Sequence, residues 1–287
     1  MNFTYYTGFT EMLARCGAEA TAAYAKKLGF SSVEVLQTMS AGHPTVIADT
    51  KTADEIRRVF DAHGITFACY SVGGDVYRNP AAEEVLMRHA EIAAALGCPY
   101  LHHTLLCRLT LQENAPAADD VLENVTAAAV RIAQYAKPLG VTCIYEDQGM
   151  YANGVENFGR FYREAHRVCD NTGVCGDFGN ILFVDEEPAA FLAAFADQIR
   201  HVHVKDYLRK SFSAIVPGGG WYPTMHGNYL RDTTVGAGII DMQACMRVLH
   251  DAGYTGAYAL ELCHPEPFEP GVGIAMDYLS RIAASLA

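Results

Sequence analysis

The sequence predicts an α/β fold, a (β/α)8 barrel forming one domain over residues 1–287, and three observations carry that prediction. A junction recurs along the chain: an Ala-rich amphipathic stretch, then a glycine, then a short apolar run. It stands at LGF (28–30), HGI (63–65), LGC (96–98), LGV (139–141), TGV (172–174) and AGY (252–254). A glycine just past a helix supplies the left-handed residue that ends it, and the apolar run that follows reads as a strand buried on both faces. The second observation is the absence of a Pro- or Ser-rich linker that would divide the chain. The third is the turn after the first strand, YYTGFTEM, which lacks the Gly-rich phosphate fingerprint that an open doubly wound sheet usually carries there.

In chain order, strands are expected near 3–8 (FTYYTG), 32–37 (SVEVLQ), 65–71 (ITFACYS) and 99–104 (PYLHHT). They continue near 141–147 (VTCIYED), 174–178 (VCGDF), 199–206 (IRHVHVKD) and 257–263 (AYALELC). Each is short and rich in apolar residues. Helices are expected near 10–28, 52–62, 80–96, 117–137, 155–170, 187–197, 241–252 and 271–286, where apolar residues recur at helical spacing. Eight strands alternating with eight helices is the pattern of a closed parallel barrel.

Composition narrows the function. A hydrophobic content of 51% and a charged content of 19% are those of a globular chain, and no run approaches the roughly 20 apolar residues of a membrane span. MNFTYYTGF has neither a basic nor an apolar leader region, so a cytoplasmic location is expected. Nine cysteines without a CxxC pair argue against a disulfide framework and against a cysteine zinc site. The net charge of −12 disfavours nucleic acid and anionic membranes as partners, since both require clustered cations. An acidic chain is better placed to hold a cation.

In such a barrel the chemistry sits at the C-terminal ends of the strands. Strand alternation then sorts the polar residues there. In VTCIYED, Glu146 shares the inward row with Thr142 and Ile144. In IRHVHVKD, Val202 and Val204 form the outward row, leaving His201, His203 and Lys205 inward. Glu261 points inward with Ala259 and Cys263, and Asp177 shares a row with Cys175 just before the Gly179-Asn180 turn. Three carboxylates converging without a cation would repel one another, so a positive ion is expected among them. Three oxygen donors and one imidazole suit one divalent ion of the Mn²⁺, Co²⁺ or Mg²⁺ type, Mn²⁺ first and Zn²⁺ less favoured. Each residue also has a plain structural account: a capped glutamate, a turn-forming aspartate, a satisfied core histidine. Four such residues on four successive strands favour the metal.

Other polar residues join this region. Lys205 faces the mouth and would neutralise an oxyanion, or else extends to solvent. Alternation turns His102 rather than His103 inward. Glu34 lies between the outward Val33 and Val35, and would line the mouth as a substrate acceptor or form a salt bridge at the barrel rim. The stretch 208–234 is too long for a bare connection and reads as a lid or binding loop. Its Trp221, Tyr222 and His226 would cover a sugar ring or bury a subunit contact, and a homo-oligomer is expected. The glycines of VGAGIID (235–241) are explained by a tight turn leading to an Asp241 helix cap.

The motifs IYEDQ (144–148), GDFGN (176–180), HVHVKDY (201–207), VGAGIID (235–241) and ALELCHP (259–265) give the chain, over its whole length, a resemblance to the xylose-isomerase-like superfamily of TIM barrels. That superfamily includes sugar phosphate isomerases/epimerases, D-tagatose 3-epimerase, hydroxypyruvate isomerase, inosose dehydratase and endonuclease IV. The resemblance implies one divalent metal bound by Glu146, Asp177, His203 and Glu261, with Glu146 and Glu261 also the acid/base pair. It implies a substrate contact for Arg209. Asn180 stands where the epimerases have a substrate-binding histidine, and Ala152 where they have a glutamate, which separates substrate identity from chemistry. The acidic charge and single-metal set argue against an endonuclease.

The expected activity is metal-dependent epimerisation or isomerisation of a ketose or sugar derivative. One glutamate abstracts a proton beside a carbonyl, the metal stabilises the enediolate, and the other glutamate returns the proton. The alternatives are a dehydratase acting on a keto-inositol or oxidised sugar, and a non-catalytic sugar-binding barrel. The expected partner is a small sugar, with Arg209, Lys205, Asn180, His102, Glu34 and Trp221 as candidate contacts.

Overall fold

A computed structural model describes residues 1–37, 45–106, 115–212, 215, 218–262 and 268–286. The strands are β1 (Phe3–Tyr5), β2 (Ser32–Gln37), β3 (Thr66–Val72), β4 (Tyr100–His103), β5 (Thr142–Tyr145), β6 (Thr172–Asp177) and β7 (Ile199–Val204), followed by β8 (Asp206–Lys210), β9 (Tyr222–Pro223), β10 (Tyr229–Thr233) and β11 (Tyr258–Leu260). The helices are α1 (Phe9–Lys27), α2 (Thr50–Ala62), α3 (Ala82–Leu96), α4 (Ala118–Ala136), α5 (Val155–Val168), α6 (Pro188–Phe195), α7 (Met242–Asp251) and α8 (Phe268–Leu286). Strands β1–β7 and β11 close into a parallel barrel in the order β1-β11-β7-β6-β5-β4-β3-β2, so the expected (β/α)8 TIM barrel is the fold. The assignment of Cys263 to the inward row and the last three residues of ALELCHP lie outside the described residues.

The glycines of five junctions, Gly29, Gly64, Gly97, Gly140 and Gly253, have positive φ, as the reading of helix ends requires. The sixth corrects it. Gly173 lies within β6 opposite Ile144, where a Cβ would come within 2.7 Å of Arg200 Cγ and 3.2 Å of Ile144 Cγ2. It provides clearance between neighbouring strands, and β6 begins at Thr172 rather than at 174.

The outward strand residues Val33, Val35, Leu101, Val202 and Val204 join the helix faces in the main core. Cys69, Ile144 and Cys175 form a separate small cluster. They belong to the rows that alternation turns inward, so Glu146 stands one strand repeat above a dry plug. The plug fills the barrel interior beneath Glu146.

The 208–234 stretch is more ordered than a loop. Strand β8 pairs antiparallel with β10, and β10 with β9, making a three-stranded ribbon. Asp206 fastens its base: the carboxylate accepts from the backbone N–H groups of Tyr207, Gly236, Gly238 and Ile240 at 2.9–3.2 Å. A Cβ at Gly238 would sit 2.1 Å from Asp206 Oδ1, which accounts for that glycine. Asp241 then caps α7 by accepting from Ala244 N, as expected. No helix among the described residues is long and apolar enough to cross a membrane.

Replacing Asp206 with Ala strands four donors at a buried position. The Asp206→Ala variant is expected to lose about 2–3 kcal/mol of stability in urea unfolding, and Asp206→Asn less.

Candidate metal centre and active site

Strands β5, β6, β7 and β11 bring Glu146, Asp177, His203 and Glu261 together at the upper end of the barrel. Each offers a ligand atom, and these atoms lie within 4.8 Å of one another. His203 Nδ1 stands at the middle, 3.2 Å from Glu146 Oε2, 3.4 Å from Glu261 Oε2 and 3.9 Å from Asp177 Oδ2. Asp177 Oδ1 is committed to the turn below, accepting from Gly179 N and Asn180 N at 2.7 Å each. Its buried Oδ2 faces the group and is paired with the ammonium of Lys205 at 3.0 Å.

The ring of His203 is held from below and above. Its Nε2 lies 3.0 Å from Glu34 Oε1, and Tyr6 stacks on it with ring centroids 4.8 Å apart. Glu34 also receives Ser71 Oγ at 2.5 Å and His201 Nε2 at 2.6 Å. A histidine that donates Nε2–H to a carboxylate presents the lone pair of Nδ1, the form a metal ligand needs. The donor set of three carboxylates and one such imidazole therefore fits a divalent ion.

Burial would raise the Glu146 carboxyl, but His102 and His203 hold it well below the usual carboxylate range. Burial likewise opposes ionisation of Glu34, and His203 and His201 reverse it, so its carboxyl is also lowered. Asp177 goes the other way: burial, assisted by Glu146 and Glu261 and opposed by Lys205, pushes it up to about 6. Three carboxylates crowd one imidazole and one ammonium, a grouping that suits a cation.

Above the centre opens a cavity of about 620 Å³, whose lining includes Tyr6, Ser71, His102, Glu146, Gln148 and Glu261. His102 lies inward as expected, with Nε2 3.3 Å from Glu146 Oε1, while His103 packs outward edge-on against Tyr145. Of the two readings of Glu34, the salt bridge holds and the mouth contact is corrected: it is 0% exposed and paired with His201 and His203 beneath the candidate ligands. The pairing of β2 with β3 shifts register between Val33 and Glu34, and it is Leu36, two residues on, that lines the cavity. Lys205 is also buried rather than free at the mouth. Its Nζ lies 3.0 Å from both Asp177 Oδ2 and Glu261 Oε1 and donates to Asn180 Oδ1 at 3.1 Å. Asn180 thus holds the lysine and does not line the cavity. Arg209 is exposed on β8 opposite Leu230, and Trp221 lies 5.9 Å from Lys210 Nζ; neither lines the cavity. Tyr222 packs against Phe183 and His226 against Asp185, so these residues fasten the ribbon.

Sequence reasoning did not single out Ser71, Tyr6, Gln148 or Asp147. Ser71 was within reach, because it lies one repeat beyond Cys69 on the inward row of β3. Gln148 Nε2 donates to Glu146 Oε1 at 3.1 Å, a contact made by a loop and invisible to alternation. Both carboxylate oxygens of Asp147 are buried without a hydrogen-bond partner, and burial beside Asp177 and Glu146 raises its carboxyl well above the usual range.

A closed barrel with this ligand group at its C-terminal end matches a family model described as xylose isomerase-like TIM barrel over residues 22–282, and the chain belongs to that family. Its fold is shared with an L-ribulose 3-epimerase at 17% identity and a TM-score of 0.75, covering 100% of this chain and 96% of that one. It is shared with the D-psicose 3-epimerase of Clostridium cellulolyticum H10, solved with D-tagatose, at 13% identity and 0.72, covering 98% and 99%. A xylose isomerase-like protein from Mycobacterium smegmatis, in complex with magnesium, matches at 14% identity and 0.71, covering 100% and 98%. No curated protein matches the chain in sequence.

Glu34→Gln tests the support beneath the centre. Breaking a buried ionic network of this kind costs about 3–5 kcal/mol, and loss of the carboxylate behind a ligating histidine about 10–100-fold in metal affinity. Because the folded Glu34 carboxyl is lowered, its contribution is complete above the unfolded value near 4.5 and is lost as pH falls below it. Thermal melts should therefore show the variant weaker at neutral pH, with a shallower decline towards pH 3 than the parent.

Proposed function

We propose that this chain is a divalent-metal-dependent epimerase or isomerase of a ketose or ketose-like sugar, with Glu146 and Glu261 as its acid/base pair. The observation that carries the reading is the convergence of Glu146, Asp177, His203 and Glu261 beneath a cavity of about 620 Å³ at the C-terminal end of the barrel. The epimerases among its structural neighbours support it.

A bound divalent ion, held by those four residues, would supply Lewis-acid polarisation of a substrate carbonyl and of the hydroxyl beside it. Mn²⁺ is the proposed ion, Co²⁺ and Mg²⁺ suiting the same donors. The remaining work belongs to the side chains. Glu146 and Glu261 approach His203 Nδ1 from the ends of different strands, through Oε2 in both cases, which supports a role for them on opposite sides of a bound sugar. One carboxylate removes the proton beside the carbonyl. The other, as the acid, delivers a proton to the opposite face for epimerisation, or to the neighbouring carbon for isomerisation. Their surroundings differ: Glu146 is fastened by Gln148, His102 and His203, whereas Glu261 is paired with Lys205 and more exposed. The Tyr6 ring and Leu36 give the cavity apolar surface, and Ser71, His102 and Gln148 give it hydrogen-bonding groups for hydroxyls.

Incubation of the Mn²⁺-loaded protein with a panel of ketoses and keto-inositols in D₂O tests the proposal by NMR. Solvent deuterium is expected at the carbon next to the carbonyl, together with the epimer or isomer. Loss of water instead would point to a dehydratase, and absence of exchange with every sugar would point to a binding protein. Glu146→Gln and Glu261→Gln are each expected to reduce turnover by about 10²–10⁴-fold.

A further inference from the structure

We propose that a side pocket between the upper ends of β4 and β5 and helix α5 is a subsite for one hydroxyl oxygen, held by a hydrogen bond to His103 Nε2. The oxygen is that of a water or of a sugar hydroxyl, and only the second source rests on the function proposed above.

The pocket has a volume of about 20 Å³, and its walls include His103, Tyr145, Ala152 and Phe161. Glu146 and Gln148 line both this pocket and the larger cavity, so the two spaces meet at those side chains. About 10–15 Å³ is enough for one water-sized group. The pocket therefore admits a single oxygen and excludes a carboxylate or a phosphate.

His103 supplies the reason to place one there. The residue is 1% exposed, and its Nε2 is buried without a hydrogen-bond partner among the described residues. Its Nδ1 lies 3.4 Å from Thr104 O, and because a carbonyl only accepts, Nδ1 carries the hydrogen. Burial pushes the ring's pKa down to about 3, against the Thr104 bond and with His102 assisting, so the imidazole is neutral at neutral pH. Nε2 is then an acceptor. The nearby Tyr145 hydroxyl does not serve it, since it donates to Ala129 O at 3.3 Å. An acceptor buried in this way is costly unless an O–H group reaches it, and the pocket is where one fits.

Crystal structures of the protein alone, and of Mn²⁺-loaded crystals soaked in D-tagatose, test this. An oxygen peak within about 3.2 Å of His103 Nε2 is expected in the protein alone. After the soak, a sugar hydroxyl at that position assigns the subsite to substrate, and a retained water assigns it to solvent. His103→Phe keeps a ring against Tyr145, and Ala152→Val fills the pocket while leaving His103 intact; each should abolish the peak. Where substrate is the source, both variants should raise KM by about 3–10-fold with kcat little changed, as loss of one hydrogen bond predicts. No oxygen beside Nε2 in the parent with or without D-tagatose, or Nε2 bonded to a protein group, or a peak persisting in Ala152→Val, overturns the proposal. A Mn²⁺-loaded protein that turns over no sugar defeats the functional proposal alone, because the peak beside His103 stands without it.

Discussion

A single carboxylate in a dry position organises the upper end of this barrel. Glu34 accepts from Ser71, His201 and His203, and so fixes the orientation of both rings. Left unpaired at 0% exposure, it would be costly to ionise; with its partners it is an anchor. The histidines gain orientation, and Nδ1 of His203 is turned to Glu146, Asp177 and Glu261. Each of those carboxylates is fixed in turn by contacts of its own: Gln148 for Glu146, the Gly179-Asn180 turn for Asp177, and Lys205 for Glu261.

The centre is assembled at the expense of stability, as active sites commonly are. Burial raises Asp177 and Asp147, both oxygens of Asp147 lack hydrogen-bond partners, and a lysine is held inside the barrel against Asp177 Oδ2 to offset the charge. The surrounding architecture tolerates this. The plug of Cys69, Ile144 and Cys175 seals the barrel below, and the helices cover the outward rows with a continuous apolar core. The β8–β10–β9 ribbon, fastened by Asp206, adds a further structured wall on the side of β7.

Much of this was legible in the sequence because two simple periodicities apply. Glycines past helix ends marked five of the strand starts, and strand alternation placed Glu146, Asp177, His203 and Glu261 inward. The same alternation separated His102 from His103. What it does not encode is depth. Glu34 and Glu146 are both inward, but a register shift at Val33 leaves Glu34 beneath the ligands while Glu146 reaches the cavity. Side-chain length was another blind spot: Lys205 points inward as expected, but folds onto Asp177 and Glu261 instead of extending. Arg209 lies on a strand of the antiparallel ribbon and Trp221 just before another, neither lining the cavity, and no local pattern distinguished that ribbon from a lid. Gly173 shows the converse error, a helix-end signal in sequence that serves strand packing in space.

The proposed centre requires a divalent ion held by residues from four strands, with His203 ligating through Nδ1 while Nε2 is kept by Glu34. Crystals grown with Mn²⁺ and measured at a wavelength sensitive to its anomalous scattering test this most directly. The account predicts an anomalous peak enclosed by Glu146, Asp177, His203 Nδ1 and Glu261. A map with no peak among these four residues, or a peak coordinated by His203 through Nε2, would contradict it.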